Sequence, residues 1–86
     1  MTISDEVKTA IMKTYGINNP QPSELKESVE MADFNFNDIQ IMKLTERFNS
    51  ILHKNNSNST VNVNEVQNCS TVDDCIKLVT TKAKHS

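Results

Sequence analysis

The fold is decided by the stretch ADFNFNDIQIMKL, residues 32–44, in which a short apolar segment leads into the start of a helix. Phe34 and Phe36 alternate just before this start, and we expect them to close one end of the hydrophobic core. Asn37 and Asp38 follow at the position where a helix is capped, because a short polar side chain there accepts hydrogen bonds from free N–H groups. The apolar residues that come next have helical spacing and predict a helix from about residue 38 to 53: Ile41, Leu44, Phe48, Ile51 and Leu52.

Upstream of this stretch, the sequence predicts a first helix over about residues 3–15. Thr2 precedes an acidic first turn, as at many helix starts, and Gly16, the only glycine, stands where a helix ends in the left-handed conformation. Pro20 and Pro22 then break the helical pattern, so residues 17–31 form a connection long enough to span a small bundle. The apolar stripe of the first helix consists of Ile3, Val7, Ala10, Ile11 and Tyr15.

Downstream, the polar run 54–60 predicts an exposed, mobile loop, and two further helices follow it. Residues 61–64 alternate as a strand would, but no second strand is available for pairing, so we predict a short helix over about 62–68. Ser70 or Thr71 caps the last helix, over about 71–81, whose apolar face consists of Val72, Cys75, Ile76 and Val79, with Leu78 flanking it. The sequence therefore predicts an all-α fold: a small four-helix bundle with a short third helix, forming a single domain of residues 1–86.

Composition excludes several classes of function. The formal net charge of −2 argues against a protein that binds nucleic acid through its phosphates. No apolar run approaches the roughly 20 residues that span a bilayer. The first residues lack the basic and then apolar pattern of a secretory signal. We therefore expect a cytoplasmic monomer with neither nucleic acid nor a membrane as partner.

The residue types that carry chemistry are sparse. Cys69 and Cys75 are expected to be unreactive thiols in a reducing compartment, with a disulfide or a redox role as the alternative. Their spacing matches no metal motif, and His53 and His85 are predicted to lie at a helix end and in the C-terminal tail. The sequence shows no nucleophile beside a base and no glycine-rich phosphate loop. We expect no metal site and no enzymatic activity.

Three segments, in the same order along the chain, resemble the acyl carrier protein family. ISDEVK at residues 3–8 and YGI at 15–17 resemble that family's first helix and its closing Leu-Gly-Val. DFNFNDIQIMKL at 33–44 resembles the family's Asp-Leu-Gly-Leu-Asp-Ser-Leu-Asp-x-Val-Glu-Leu. VNVNEV at 61–66 and STVDD at 70–74 resemble its short third helix and the Thr-Val-x-Asp that opens the fourth. The resemblance covers nearly the whole chain and implies an acyl-carrier-like bundle.

The chain departs from this family at the residue that carries its chemistry. In the family, a serine hydroxyl attacks the pyrophosphate of coenzyme A and becomes the attachment point of phosphopantetheine. Here Asp38 stands at that position, flanked by Asn37 and Ile39 in place of aspartate and leucine, and residues 32–49 contain no serine. A carboxylate that attacked phosphorus would give an acyl phosphate, which hydrolyses readily. The resemblance thus implies a protein that carries no phosphopantetheine cofactor.

Two interpretations of Asp38 remain open at this point. An aspartate at a helix N-cap or in the first turn typically contributes about 1 kcal/mol to stability, so Asp38 would be favoured for this reason alone. Alternatively, its charge mimics part of the missing phosphate and helps a partner to recognise the domain.

The resemblance also implies a docking surface at the start of the second helix. The family's second helix is strongly acidic, whereas here Asp38 and Glu46 are balanced by Lys43 and Arg47. Any partner would then be matched to this surface, the alternative being an ordinary solvated helix face. The predicted docking residues are Asp33, Asn37, Asp38, Ile39, Gln40, Met42, Lys43 and Glu46.

Three functions are compatible with these residues. The first is a non-enzymatic, acyl-carrier-like protein that docks to an acyl- or ketosynthase, a transferase or a similar enzyme of a fatty-acid, polyketide or related pathway. The second is a true acyl carrier that uses another attachment residue. The third is a helical domain with an unrelated structural or regulatory role.

Overall fold

Four α-helices and two short 3₁₀ turns form the fold, and the residues described contain no β-strand. The computed structural model describes residues 2–84, so Met1, His85 and Ser86 lie outside the described residues. The helices are α1 (Ile3–Tyr15), α2 (Asp38–Lys54), α3 (Val63–Gln67) and α4 (Val72–Lys84), with 3₁₀ turns at Pro22–Glu24 and Met31–Phe34. The small all-α fold predicted from the sequence is confirmed. Compared with the predicted bounds, α2 is one residue longer, α3 is one residue shorter at each end, and α4 begins one residue later and ends three residues later.

The helix ends follow from their capping residues. The Thr2 hydroxyl accepts a hydrogen bond from the backbone N–H of Asp5 at 3.1 Å, which satisfies one of the free donors of the first turn. Gly16 ends α1 with φ +113°, a conformation that only glycine adopts without strain. At the start of α4, the Thr71 hydroxyl accepts from the Asp74 N–H at 3.2 Å, so Thr71 rather than Ser70 is the capping residue.

The core is built from one face of each long helix. α1 contacts both α2 and α4, and the fully buried side chains come from these three helices. Tyr15 is the exception to the predicted stripe of α1: its side chain is 54% exposed because it lies at the C-terminal end of the helix, beyond the core. The largest fully buried side chains are Phe48, Ile11, Leu44, Leu52, Val7, Val72 and Val79.

The long connection between α1 and α2 is fastened to the start of α4. The backbone N–H groups of Val72 and Asp73 donate to the carbonyls of Val29 and Glu27 at 2.9 and 3.0 Å. The N–H of Met31 donates to the carbonyl of Ser70 at 2.9 Å. Two donors of the first turn of α4 that have no partner within the helix are satisfied in this way. These bonds fix the position from which the chain enters α2.

The polar loop after α2 differs from the sequence prediction. Lys54 belongs to α2, and Ser57 is buried rather than exposed. The Ser57 hydroxyl donates to the carbonyl of Lys82 at 3.2 Å and accepts from the N–H of Ser59 at 3.1 Å. Farther on, the Asn49 side chain forms two hydrogen bonds with the backbone of Val61. Ser57 therefore attaches this segment to α4, and Asn49 of α2 holds the chain that follows it at Val61, contacts that composition alone does not indicate.

Glu65 connects α3 to α4 and makes stability depend on pH. Its carboxylate accepts the N–H of Asn62 at 3.1 Å and pairs with the Lys82 ammonium at 3.1 Å. The hydrogen bond from Lys82, and then that from Asn62, lowers the pKa of Glu65 below its usual value of 4.5. A carboxylate with a lowered folded pKa stabilises the fold above its unfolded pKa, and the contribution is lost as the pH falls through the folded pKa.

We therefore expect Glu65→Gln to reduce the free energy of unfolding more at neutral pH than in acid, below the lowered pKa of Glu65, where the wild-type carboxylate is protonated. Urea unfolding at both pH values measures this difference. The matched control is Glu46→Gln, which removes an exposed carboxylate that takes part in no ion pair among residues 2–84. An equal loss at both pH values for Glu65→Gln would contradict the assignment.

Candidate functional site

The start of α2 is held by a reciprocal pair of hydrogen bonds. Asn37 has extended backbone angles, and its side-chain oxygen accepts from the N–H of Gln40 at 2.8 Å. The Gln40 side chain in turn accepts from the N–H of Asn37 at 2.9 Å. This capping box satisfies two free donors of the helix start. It also assigns the capping role to Asn37, which makes Asp38 the first residue of the helix.

Asp38 is therefore an acid of the first turn and not the N-cap. Its side chain is exposed, and within residues 2–84 no ion pair or side-chain hydrogen bond engages its carboxylate. The negative charge lies near the positive end of the α2 dipole, which stabilises it there. The sequence suggested two stabilising roles for Asp38, as N-cap or as first-turn acid. The structure assigns the N-cap to Asn37 and the first-turn acid to Asp38.

This division of roles predicts different costs for two substitutions. Asn37→Ala removes the cap, and we expect it to lower the free energy of unfolding by about 1 kcal/mol. Asp38→Asn keeps the size of the side chain and removes only the interaction of charge with dipole, worth roughly 0.3–1 kcal/mol at low salt. Urea unfolding at low and high salt separates them, because only the Asp38 effect is screened. A salt-independent loss at Asp38 larger than that at Asn37 would show that the roles are reversed.

An aromatic cluster supports the segment that leads into α2. The rings of Phe34 and Phe36 stack with centroids 5.3 Å apart, and Tyr15 meets them edge-on at 5.5 and 6.5 Å. Both phenylalanines are half-buried and pack against the core, as expected for side chains that close its end. Asn35 between them adopts a left-handed conformation, φ +51°, which asparagine tolerates better than most residues. The cluster joins the end of α1 to the start of α2.

One exposed face of α2 carries most of the predicted docking residues. Ile39, Met42, Lys43 and Glu46 have the spacing i, i+3, i+4 and i+7, so their side chains lie on the same side of the helix. Ile39 is 65% exposed and Met42 is 55% exposed, which is unusual for large apolar side chains. Together with Asp38, these four residues form what we call the α2 outer face. Asp33 and Asn37 are also exposed, in front of it.

Gln40, one of the predicted docking residues, forms hydrogen bonds within the fold. It is half-buried, its side-chain oxygen closes the capping box, and its amide group donates to the carbonyl of Thr14 at 3.4 Å. The Gln40 side chain therefore links α1 to the start of α2 through hydrogen bonds.

An open cleft of about 560 Å³ lies beside Asp38, and it was not predicted from the sequence. Its walls come from the segment before α2, from α2 itself and from the region of α3. The lining is mixed, with the acids Glu30 and Asp38 near apolar residues that include Met31, Phe36, Ile41 and Val66. Ile41 and Val66 were predicted only as core positions, and in the structure Val66 is buried in the core and Ile41 packs against it, while both also line this cleft.

Two further classes of site are absent from the described part of the chain. Within residues 2–84, no group of three or more His, Cys, Asp or Glu side chains is placed to hold a metal ion. No helix there is long and apolar enough to cross a membrane. His85 lies outside the described residues, and His53 is exposed near the end of α2.

Comparison of the chain with family models, curated proteins and solved structures yields no match in any of the three. The resemblance to acyl carrier proteins therefore rests only on the sequence segments quoted above.

Proposed function

We propose that this chain is an acyl-carrier-like, non-enzymatic docking protein that carries no phosphopantetheine. It acts by binding an acyl- or ketosynthase, a transferase or a similar enzyme of a fatty-acid, polyketide or related acyl pathway. The observation that carries the proposal is the exposed carboxylate of Asp38 at the first position of α2, next to exposed Ile39 and Met42. The resemblance assigns the modified serine to this position.

The hydroxyl groups nearest to Asp38 in α2 give no substitute attachment point. Thr45 is buried, and its hydroxyl donates to the carbonyl of Ile41 at 2.8 Å. Ser50 is exposed but lies near the other end of α2, where its hydroxyl bonds to the carbonyl of Glu46 at 3.1 Å. A carrier needs its nucleophile where the modifying enzyme docks, and at that place this chain offers a carboxylate.

The proposed binding energy comes mainly from the apolar residues of the α2 outer face. Exposed large apolar side chains beside polar ones mark many protein interaction sites, and a few such anchors supply most of the binding energy. The charges of α2 near this face cancel, since Asp38 and Glu46 are matched by Lys43 and Arg47. Long-range attraction to a basic partner is therefore weak, and we expect the affinity to depend little on salt.

A binding measurement tests the proposal. The purified chain is titrated with the ketosynthase and the acyltransferase of the same organism, by calorimetry and by amide chemical shifts. We expect shift changes centred on residues 38–46. The double variant Ile39→Ala/Met42→Ala should bind at least about tenfold more weakly, because the loss of roughly 1.4 kcal/mol corresponds to that factor.

The control is Thr81→Ala, an exposed position near the C-terminal end of α4. It should bind as tightly as the wild type. Equal affinity of the double variant and the wild type, or shift changes confined to another face, would overturn docking through the α2 outer face. Absence of binding to both enzymes would overturn the proposed function itself.

A further inference from the structure

A groove of about 350 Å³ lies between α1 and α2, apart from the cleft beside Asp38. Each helix lines it with four residues at the spacing i, i+3, i+4 and i+7, from Glu6 to Lys13 on α1 and from Arg47 to Lys54 on α2. Residues with this spacing share one face of a helix. The volume lies at the lower end of the range of small-molecule sites, about 300–1,000 Å³.

Two contacts fix how the walls of the groove are aligned. The Lys54 ammonium pairs with the Glu6 carboxylate at 3.2 Å, and the Gln40 side chain bonds to the C-terminal end of α1 at 3.4 Å. The helices are therefore antiparallel, with the start of α1 beside the end of α2. Lys13 follows Glu6 by seven residues, and Arg47 precedes Lys54 by seven residues. Lys13 and Arg47 thus lie level with each other at one end of the groove, roughly 10 Å along the helices from the Glu6–Lys54 pair.

This end of the groove carries two positive charges that no ion pair balances. The side chains of Lys13 and Arg47 are exposed, and within residues 2–84 neither takes part in an ion pair. The carboxylate that lines the groove, that of Glu6, is engaged at the other end by the Lys54 ammonium and by the Asn55 amide at 3.5 Å. The groove is therefore locally basic in a chain whose formal net charge is −2.

The chemistry of the basic end favours a doubly charged anion. A phosphate monoester carries about −1.5 to −2 charges at neutral pH, which matches the two cations, whereas a carboxylate carries one. The planar guanidinium of Arg47 can donate two parallel hydrogen bonds to one phosphate, and the Lys13 ammonium supplies a further donor. Beyond these side chains the groove passes Ala10 and Ile51, which are apolar and buried. A short apolar substituent on the phosphate therefore finds an apolar surface.

We propose that the groove between α1 and α2 binds a soluble phosphate monoester with a short apolar substituent. The phosphate lies between Lys13 and Arg47, and the substituent lies against Ala10 and Ile51. The proposal does not depend on the proposed docking function, because the groove shares no wall residue with the α2 outer face. Since the groove is open to solvent, we expect weak and rapidly reversible binding.

Titration with n-butyl phosphate tests the site. Amide chemical shifts of the wild-type chain are followed while sodium chloride keeps the ionic strength constant, so that general screening does not change. We expect saturable shift changes centred on residues 9–13 and 47–51. Butanoate, which carries an apolar chain but only one charge, should bind at least about fivefold more weakly.

Two variants that each remove one positive charge separate the groove from general attraction. Arg47→Gln removes the guanidinium and should weaken the binding of n-butyl phosphate at least about fivefold. The matched control is Lys26→Gln, which removes an exposed charge in the connection before α2 and should bind as tightly as the wild type. Equal weakening by both substitutions, or shifts of the wild type that do not saturate or lie on other faces, would overturn the site.

A second arm distinguishes a soluble ligand from a lipid headgroup, since phosphatidic acid presents the same phosphate monoester at a membrane surface. None of the exposed large apolar side chains of residues 2–84 lines the groove, so it offers nothing to insert into a bilayer. The chain should therefore stay in the supernatant when vesicles of phosphatidylcholine and phosphatidic acid are sedimented. Sedimentation with the vesicles, together with no response to n-butyl phosphate, would overturn the soluble ligand.

Discussion

The Asp38→Ser variant is expected to become covalently modified when it is incubated with coenzyme A and a broad-specificity phosphopantetheinyl transferase. The serine hydroxyl would stand exposed at the first position of α2, directly after the Asn37 cap. It could attack the pyrophosphate of coenzyme A and form a stable phosphodiester, which the carboxylate of the wild type cannot do. Intact mass spectrometry should show one added phosphopantetheine per chain.

The control for this gain of modification is Asp38→Asn, which also removes the charge but supplies no hydroxyl. It should remain unmodified, and so should the wild type. If the serine variant also stays unmodified, the surface around residues 37–43 is not one that a transferase recognises, and the acyl-carrier-like docking surface is contradicted. Asn37 and Lys43, where the family has acidic residues, would then be the first positions to restore.

The Phe48→Ala variant is expected to lose a large part of the stability of the fold. Phe48 is fully buried in α2 and is the largest such side chain of the core. Truncation of a buried phenylalanine typically costs about 3–5 kcal/mol, from the lost burial and from the cavity left behind. Domains of this size are usually stable by only about 5–15 kcal/mol, so the variant should unfold at much lower urea concentration or temperature.

The control for this loss is Met42→Ala on the same helix, whose side chain is 55% exposed. It should change the free energy of unfolding by no more than about 0.5 kcal/mol, as is usual for surface substitutions. Circular dichroism during urea unfolding measures both variants. A similar, small effect at the two positions would show that α2 does not present Phe48 to the core.

The helices were predictable because their signals are local. The apolar spacing of 3.6 residues, the cap at Thr2 and the single glycine at position 16 placed α1 over Ile3–Tyr15, where the structure has it. The start of α2 was predicted because Asn and Asp side chains compete well for free N–H groups. Periodicity also gave most of the core, since one face of a helix is buried as a unit.

The features that the sequence did not predict depend on contacts between distant segments. The cleft beside Asp38 is lined by residues from the segment before α2, from α2 and from positions 66–70, and no spacing within any one of these segments shows that they come together. Ser57 is buried because the end of α4 passes next to it. The exposed Tyr15 shows that a periodic stripe can extend beyond the core that it faces.

The measurement that tests the central claim most directly is the intact mass of the wild-type chain after incubation with coenzyme A and a broad-specificity phosphopantetheinyl transferase. A functional carrier protein in the same tube shows that the transferase is active. With a carboxylate at Asp38 and no free serine beside it, the chain is predicted to keep its unmodified mass while the carrier protein is fully converted. A covalent phosphopantetheine adduct on the wild-type chain would contradict the claim and show that this protein carries acyl groups itself.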